Sequence, residues 1–368
     1  MSENLQRKKI DIMKYFSVIR VLAAAVLSLL LVFIIIFFVS EEPVFAISKL
    51  MFGPFQSKRS FFNVLERAVP LVFTALALNI SLRSGVFNIG VDGSFYMGAV
   101  LATVIAIKIP APNILHQTLI LVAAGTTGGL INMLPVLINK FTKVNATVLS
   151  IMFNSIFYYL GYSIVSSYLL DNSGSWGSEK FPADARFGSL IKGTNMNWGF
   201  IIMIAVIIFV IVLMQKTSFG YKVRVTGINP DFAKSAGIKV GAVMLGAQFI
   251  GGIIGGMGGA IEMVGMYRRF QWQSPVNFVW DGLMVHMLSN QNPEFIPLAA
   301  VFIAFLRIGA EIMSRSTSLD PEIVAFLQGI IIFLVSSERF LYFIKKRHEQ
   351  RQALQQAEQA TEKGGANA

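Results

Sequence analysis

The residues that could do chemistry begin with a glycine-rich stretch, RSGVFNIGVDGSFYMG, at positions 83–98. Asn88 and Asp92 lie among its glycines, within an otherwise apolar region. A glycine inside a helix costs about 1 kcal/mol relative to alanine, and a mid-membrane aspartate costs about 2.5–3.5 kcal/mol on insertion scales. A broken helix lining a polar cavity accommodates both, because its freed backbone groups can face water or a polar ligand. The alternative is a cytoplasmic turn followed by close helix packing at the glycines.

Other polar side chains inside apolar segments could line the same cavity. The candidates for a substrate pathway are Phe87, Asn88, Asp92, Asn154 and Glu262. The alternative role for an asparagine in such a segment is a hydrogen bond between helices, which we expect for Asn79, Asn132 and Gln248. The alternative for Glu262 is an ion pair with Arg268 or Arg269.

The sequence offers little for covalent or metal chemistry. It has no cysteine and only three histidines, which are far apart in the chain. Asp281 and His286 are close in sequence, but no nucleophile or metal ligand accompanies them. No G-x-x-x-x-G-K-[ST] motif is present, so any ATP hydrolysis has to come from another chain. We therefore expect no catalysis, no metal and no cofactor.

The composition is that of a membrane protein. Hydrophobic residues make up 54% of the 368 positions and charged residues only 14%, whereas soluble domains carry about 25% charge. The net charge of +11 arises from basic residues at the chain ends and in short loops, which is typical of orientation in a membrane rather than nucleic-acid binding.

We predict an all-α polytopic protein with about ten spans, some of them broken or re-entrant. The predicted spans are 21–40, 64–82, 87–107, 114–139, 145–170, 199–215, 240–266, 277–289, 294–312 and 321–343. The segment 277–289 is short and holds Asp281 and His286, so it could be re-entrant. The glycines at 251, 255 and 259 recur every fourth residue, which favours close helix packing.

The Lys/Arg bias places both termini in the cytoplasm. We predict a cytoplasmic segment 1–20, a membrane domain 21–343 and a partly disordered cytoplasmic tail 344–368. Within the membrane domain, the loop 171–198 is expected outside and the loop 216–239 in the cytoplasm. This orientation leaves Arg268 and Arg269 outside, against the general bias.

The cytoplasmic loop is the one long polar stretch in the middle of the chain, and its second half has helix signals at both ends. Asn229 can cap a helix, Pro230 suits its first position, and Gly237 can end it. A two-turn helix is unstable alone in water, so we expect it to dock on a partner or on its own membrane domain.

Two stretches together resemble bacterial ABC importer permeases for sugars, branched-chain amino acids and nucleosides. GVFNIGVDG at 85–93 resembles their G-x-x-N-I-G-x-[DE]-G segment, and GYKVRVTGINPDFAKSAGI at 220–238 resembles their cytoplasmic coupling segment. The matching positions of the second motif are Arg224, Gly227, Asn229, Ala233 and Gly237. WDGLMVHMLSNQNP at 280–293 is also similar, with His286 where the family often has a small or apolar residue. The first motif and the length are most like the nucleoside-uptake branch.

The resemblance implies a multi-pass subunit of the bacterial plasma membrane that forms half of a pore. Its implied partners are a second permease, expected to be a different chain, ATPase subunits and an extracellular substrate-binding lipoprotein. The coupling helix would be 230–236, with Phe232, Ala233 and Ala236 as its docking face, and the permease itself would not be an enzyme.

Three alternatives stay open at this point. The same machine could carry a simple sugar such as ribose, or a branched-chain amino acid. A secondary transporter would need no ATPase. An intramembrane enzyme is disfavoured, because the chain lacks clustered histidines, cysteines or paired carboxylates in sequence.

Overall fold

The structure is a computed structural model that describes residues 40–171 and 176–317, together with 30, 33–38, 329 and 330. Two compact units are distinguished, Ser48–Ile312 and a second formed by Met1–Ile47 with Met313–Ala368. All contacts described below lie within the first unit. The predicted spans 21–40 and 321–343, the first cytoplasmic segment and the tail fall largely or wholly outside the described residues.

The described part is nearly all helical. Its helices are α1 (Pro43–Phe52), α2 (Lys58–Arg83), α3 (Val91–Lys108), α4 (Asn113–Thr142), α5 (Ala146–Tyr168), α6 (Gly199–Lys216), α7 (Ser218–Ile228), α8 (Pro230–Ser235), α9 (Val240–Met266), α10 (Phe278–Leu288) and α11 (Ile296–Ser316). A 3₁₀ turn, Gly53–Phe55, follows α1.

Seven of these helices are long and apolar enough to cross a membrane within the described residues: α2, α3, α4, α5, α6, α9 and α11. Each matches a predicted span. The predicted segment 277–289 is present as α10, which has 11 residues and is about 16 Å long. This length is too short for an ordinary span. The helix α1 had no counterpart among the predictions.

Helix α9 is central, packing against α2, α3 and α4. Its glycines lie on two faces of the helix, where they contact these neighbours. A Cβ on Gly252 or Gly256 would strike the backbone of α4 at Gly128 or Ala124, and one on Gly259 would strike the Phe95 carbonyl of α3. The close packing predicted for the glycines is therefore confirmed.

The loop after α5 packs against the segment that follows α9. Phe181 N–H donates to the Arg268 carbonyl at 2.9 Å, and Ser178 N–H donates to the Phe270 carbonyl at 2.9 Å. Arg269 also lies 3.6 Å from Asp171. The two segments expected outside the membrane thus lie on the same end of the helices.

Candidate functional site

The glycine-rich stretch forms an irregular connection between two spans. Helix α2 ends at Arg83 and α3 begins at Val91, so the break lies between helices and does not interrupt one. Phe87 in this connection is 46% exposed. Asp92 is half-buried in the first turn of α3, where its charge complements the positive end of the helix dipole.

One face of α5 binds the backbone of this connection. The Thr147 hydroxyl donates to the Phe87 carbonyl at 2.7 Å. The Asn154 amide donates to the Ile89 carbonyl at 3.0 Å and accepts from the Gly93 N–H at 3.0 Å. The oxygen and the nitrogen of the Asn154 side chain are thus both used in hydrogen bonds that join α5 to neighbouring elements. This is the structural role that was the alternative to lining the substrate path.

Asn88 lies in a buried cluster of five polar residues that joins α2, α4 and α9 to the connection. Its amide nitrogen is 2.8 Å from the Asn132 carbonyl and 2.9 Å from Gln248 Oε1. Asn132 donates to the Ser81 hydroxyl, and Gln248 donates to the Ser81 carbonyl and the Ser84 hydroxyl. The bridging predicted for Asn132 and Gln248 is confirmed, and Asn88 shares that role.

The two stretches that carry the family resemblance meet backbone to backbone. Gly85 has φ +86°, and a Cβ added there would lie 3.1 Å from the Gly227 Cα. A Cβ on Gly227 would lie 3.1 Å from the Arg83 carbonyl carbon and 3.2 Å from the Gly85 nitrogen. Side chains would hold these segments apart, so both glycines are required by the close approach.

The segment 216–239, predicted to be cytoplasmic, folds as two helices, α7 and α8. Asn229 Oδ1 accepts from the N–H groups of Asp231 and Phe232 at 3.1 and 3.0 Å, and Pro230 occupies the first turn of α8. Gly237 has φ +79° beyond its last turn. The predicted N-cap, proline position and glycine terminus are confirmed. The helix ends at Ser235, one residue before the predicted 236.

The predicted docking face of α8 requires one correction. Ala233 is 0% exposed, whereas Phe232 is 61% exposed and Ala236 is also exposed. Ala233 instead seats α8 against its own chain, because a six-residue helix has to bury one side. Ile228, 85% exposed, is the apolar residue available beside Phe232. Arg224 is half-buried and interacts electrostatically with Arg83.

At the opposite ends of α2 and α9, two carboxylates are buried. Glu262 is 3% exposed and Glu66 is 4% exposed, and they are close enough to interact electrostatically. Neither forms a salt bridge within the described residues, so the pairing of Glu262 with Arg268 or Arg269 considered above is not observed. Sequence reasoning missed Glu66, although an acid inside a predicted span was the available signal.

Arg67 lies close enough to both carboxylates to interact with them electrostatically, although its guanidinium and that of Arg307 also have other partners. The Arg67 guanidinium lies over the Phe278 ring at 5.8 Å, and Arg307 donates to the Asp281 carboxylate. Arg307 therefore pairs across helices with Asp281, and not with Glu311 four residues along its own helix. Asp281 and His286 are not brought together, because the His286 ring instead meets the Asn79 amide at 3.3 Å.

An aromatic layer lies near Glu262, and Trp272 is at its centre. The Trp272 ring stacks on Phe95 at 6.2 Å and contacts Phe270 at 5.6 Å and Tyr267 at 5.8 Å. Burial raises the pKa of the Tyr267 hydroxyl, and the nearby Glu262 carboxylate raises it further. Tyr267 therefore connects the layer to the Glu262 carboxylate.

Comparison with known proteins identifies the family. Residues 60–336 match the family described as "branched-chain amino acid transport system / permease component". A nucleoside ABC transporter permease protein of Lactococcus lactis is 26% identical over 359 residues, which cover 94% of this chain and 97% of the relative. A guanosine ABC transporter permease protein of Bacillus subtilis is 26% identical over 286 residues, covering 77% and 82%.

A glucose ABC transporter permease protein of Haloferax volcanii is 27% identical over 316 residues, covering 81% of this chain and 82% of the relative. The relatives thus differ in the substrate that their names state. The family, the apolar helices and the paired motifs agree on a multi-pass membrane subunit whose family implies a separate ATPase. The chain belongs to the branched-chain amino acid transport system permease family, and it is an ABC transporter permease.

Proposed function

We propose that this chain is the permease subunit of an ATP-driven nucleoside importer. The observation that carries this proposal is the match to the Lactococcus nucleoside permease, which covers nearly all of both chains. The aromatic layer and buried carboxylates fit such a substrate, because a nucleoside has an aromatic base and a hydroxylated sugar. The permease carries out no covalent chemistry on its substrate.

A simple sugar is the second candidate, favoured by the similarity to the Haloferax glucose permease. Sugar hydroxyls could also donate hydrogen bonds to the buried carboxylates, but a sugar has no aromatic ring to stack on the aromatic layer. A branched-chain amino acid is named in the family description alone. It has no aromatic ring to stack on the aromatic layer.

The coupling proposal concerns the cytoplasmic segment 216–239. We place the ATPase contact on α8 and the end of α7, where the apolar side chains of Ile228 and Phe232 are exposed on an otherwise polar segment. The side of the segment that packs on the protein contacts the connection 84–90 at Gly85 and Gly227. ATP-driven movement of the segment would thereby bias the permease between its inward- and outward-open states.

We also propose the other subunits of the transporter and the membrane topology of this chain. Two permease subunits form the pore, with a different homologous chain as the second, and an extracellular lipoprotein delivers the substrate. Both termini lie in the cytoplasm, ten segments cross or enter the membrane, and the domain limits are those given above. Phe87, Asp92 and Glu262 remain the proposed residues of the substrate path. Asn88 in the connection and Asn154 on α5 support the path by holding the connection in place.

Uptake by cells tests the proposal. A strain lacking other nucleoside and sugar importers, supplied with this chain and the proteins that purify with it, should accumulate labelled uridine in preference to glucose, ribose and leucine. Preferential uptake of a sugar or of leucine would refute the substrate. Uptake that stops when the proton or sodium gradient collapses while ATP remains would instead indicate a secondary transporter.

A further inference from the structure

Glu66 and Glu262 form an unusual pair for a membrane-embedded protein. Both side chains are more than nine-tenths buried, and one oxygen of Glu66 has no hydrogen-bond partner among the described residues. Buried acceptors without donors are costly, and two carboxylates near each other in a low dielectric are costlier still. A group that brings hydrogen-bond donors to this position would relieve that cost.

Arg67 interacts electrostatically with both carboxylates, but it forms no salt bridge with either among the described residues. Arg67 lies over the Phe278 ring, and its Nε has no hydrogen-bond partner in the described residues. Pro70 adds to the imbalance, because it has no N–H to give to the Glu66 carbonyl one turn before it. The position is therefore rich in acceptors, with Arg67 as an adjacent cation.

The aromatic layer indicates which kind of ligand could donate hydrogen bonds to these carboxylates. A monovalent cation would satisfy the carboxylates but would not explain the neighbouring rings of Tyr267, Phe270 and Trp272. A nucleoside presents two adjacent ribose hydroxyls, each of which can donate to a carboxylate oxygen. It also presents a flat base, and bases of any type stack on aromatic side chains.

We infer that Glu66 and Glu262 form a substrate site at the outer end of α2 and α9, where they accept hydrogen bonds from the ribose hydroxyls while the Trp272 layer faces the base. This inference rests on the proposed nucleoside function and adds the residues that select the sugar. Glu66 is the specificity residue that the sequence motifs do not indicate. The site lies on the side from which a binding protein delivers substrate.

The test compares uridine with 2′,3′-dideoxyuridine in the complete transporter, reconstituted in proteoliposomes and supplied with saturated binding protein. Because the same binding protein is used with every variant, a change in the ratio of the two transport rates reflects a change in the selectivity of the permease. The variants are Glu66→Gln and Glu262→Gln, which keep the side-chain shape. Glu179→Gln, on the exposed external loop, is the matched control.

We expect the uridine to dideoxyuridine ratio to fall about tenfold in either buried variant, since each loses a charge-assisted hydrogen bond to the sugar. The control should keep the wild-type ratio. Uridine affinity of the solubilised transporter without binding protein, measured by equilibrium dialysis, should fall by a similar factor in Glu66→Gln. This second readout applies even where a transport rate is too low to compare.

Three outcomes would overturn the inference. The first is an unchanged ratio with unchanged affinity, and the second is an equal loss for both nucleosides with unchanged affinity, which would indicate a structural role. The third is a wild-type dependence on Na⁺ that Glu66→Gln removes without altering the ratio, which would indicate a cation site. Uridine transport by the wild type keeps the proposed function intact in all three, whereas transport of neither nucleoside removes both proposals.

Discussion

Replacing Gly227 by alanine should uncouple ATP hydrolysis from transport. The new Cβ would lie 3.1 Å from the Arg83 carbonyl carbon and closer still to its oxygen. Both partners are backbone, so no side chain can rotate away and the segments have to separate. Overpacking of this kind costs about 1–3 kcal/mol, which corresponds to a roughly 5- to 150-fold loss of the state in which the contact is intact.

The assay is the number of substrate molecules transported per ATP hydrolysed by the reconstituted complex. Gly241→Ala is the matched control, because a Cβ at Gly241 meets nothing within 4 Å and alanine is the better helix former. We expect Gly227→Ala to assemble and hydrolyse ATP while transporting at least about fivefold less substrate per ATP. Equal transport per ATP in the two variants would refute the idea that this contact transmits movement.

Three further changes test other parts of the structure. Phe232→Ala should weaken ATPase binding roughly 30- to 150-fold, since covering its 61% exposed side chain is worth about 2–3 kcal/mol. Ile114→Ala, in the first turn of α4, should leave that binding unchanged. Gln248→Leu should lower the melting temperature in detergent through lost buried hydrogen bonds, each worth about 1–3 kcal/mol when its partner is left unsatisfied, and a melting temperature equal to that of exposed Gln215→Leu would contradict this. Asp92→Asn should slow uptake at unchanged stability; a lower stability with an unchanged rate would assign Asp92 to the helix dipole alone.

Hydrophobic runs and helix caps were readable from the sequence because both depend on local chemistry. Every predicted span within the described residues corresponds to a helix, although α10 is shorter than a span. The ends of α8 also follow from residues within one or two turns. Asn229 caps the helix through its own side chain, and Gly237 has the left-handed conformation that a glycine tolerates.

Long-range partners could not be read in this way. The span containing Glu66 was recognised, but only the fold brings Glu66 near Glu262 on another helix. The inward direction of Ala233 depends on how a short helix sits on the rest of the chain, which its own sequence does not specify. Arg307 likewise had a local partner in Glu311, and the structure pairs it with Asp281 26 residues away.

Helix α2 gives the two proposals a common physical basis. It carries Glu66 near its N-terminal end, which we propose lies outside, and its C-terminal end at Arg83 contacts Gly227 of the segment 216–239. Those positions are 17 residues apart, which corresponds to about 26 Å of helix. A displacement at Gly227 therefore acts on the same element that holds Glu66, while Pro70 removes a backbone hydrogen bond just inside the carboxylate. Proline is a position at which a helix can bend, so movement transmitted from the Arg83 end would tilt the turn that carries Glu66 and alter its spacing from Glu262. We infer that this is how a push on the cytoplasmic segment loosens the hold on a substrate at the outer site.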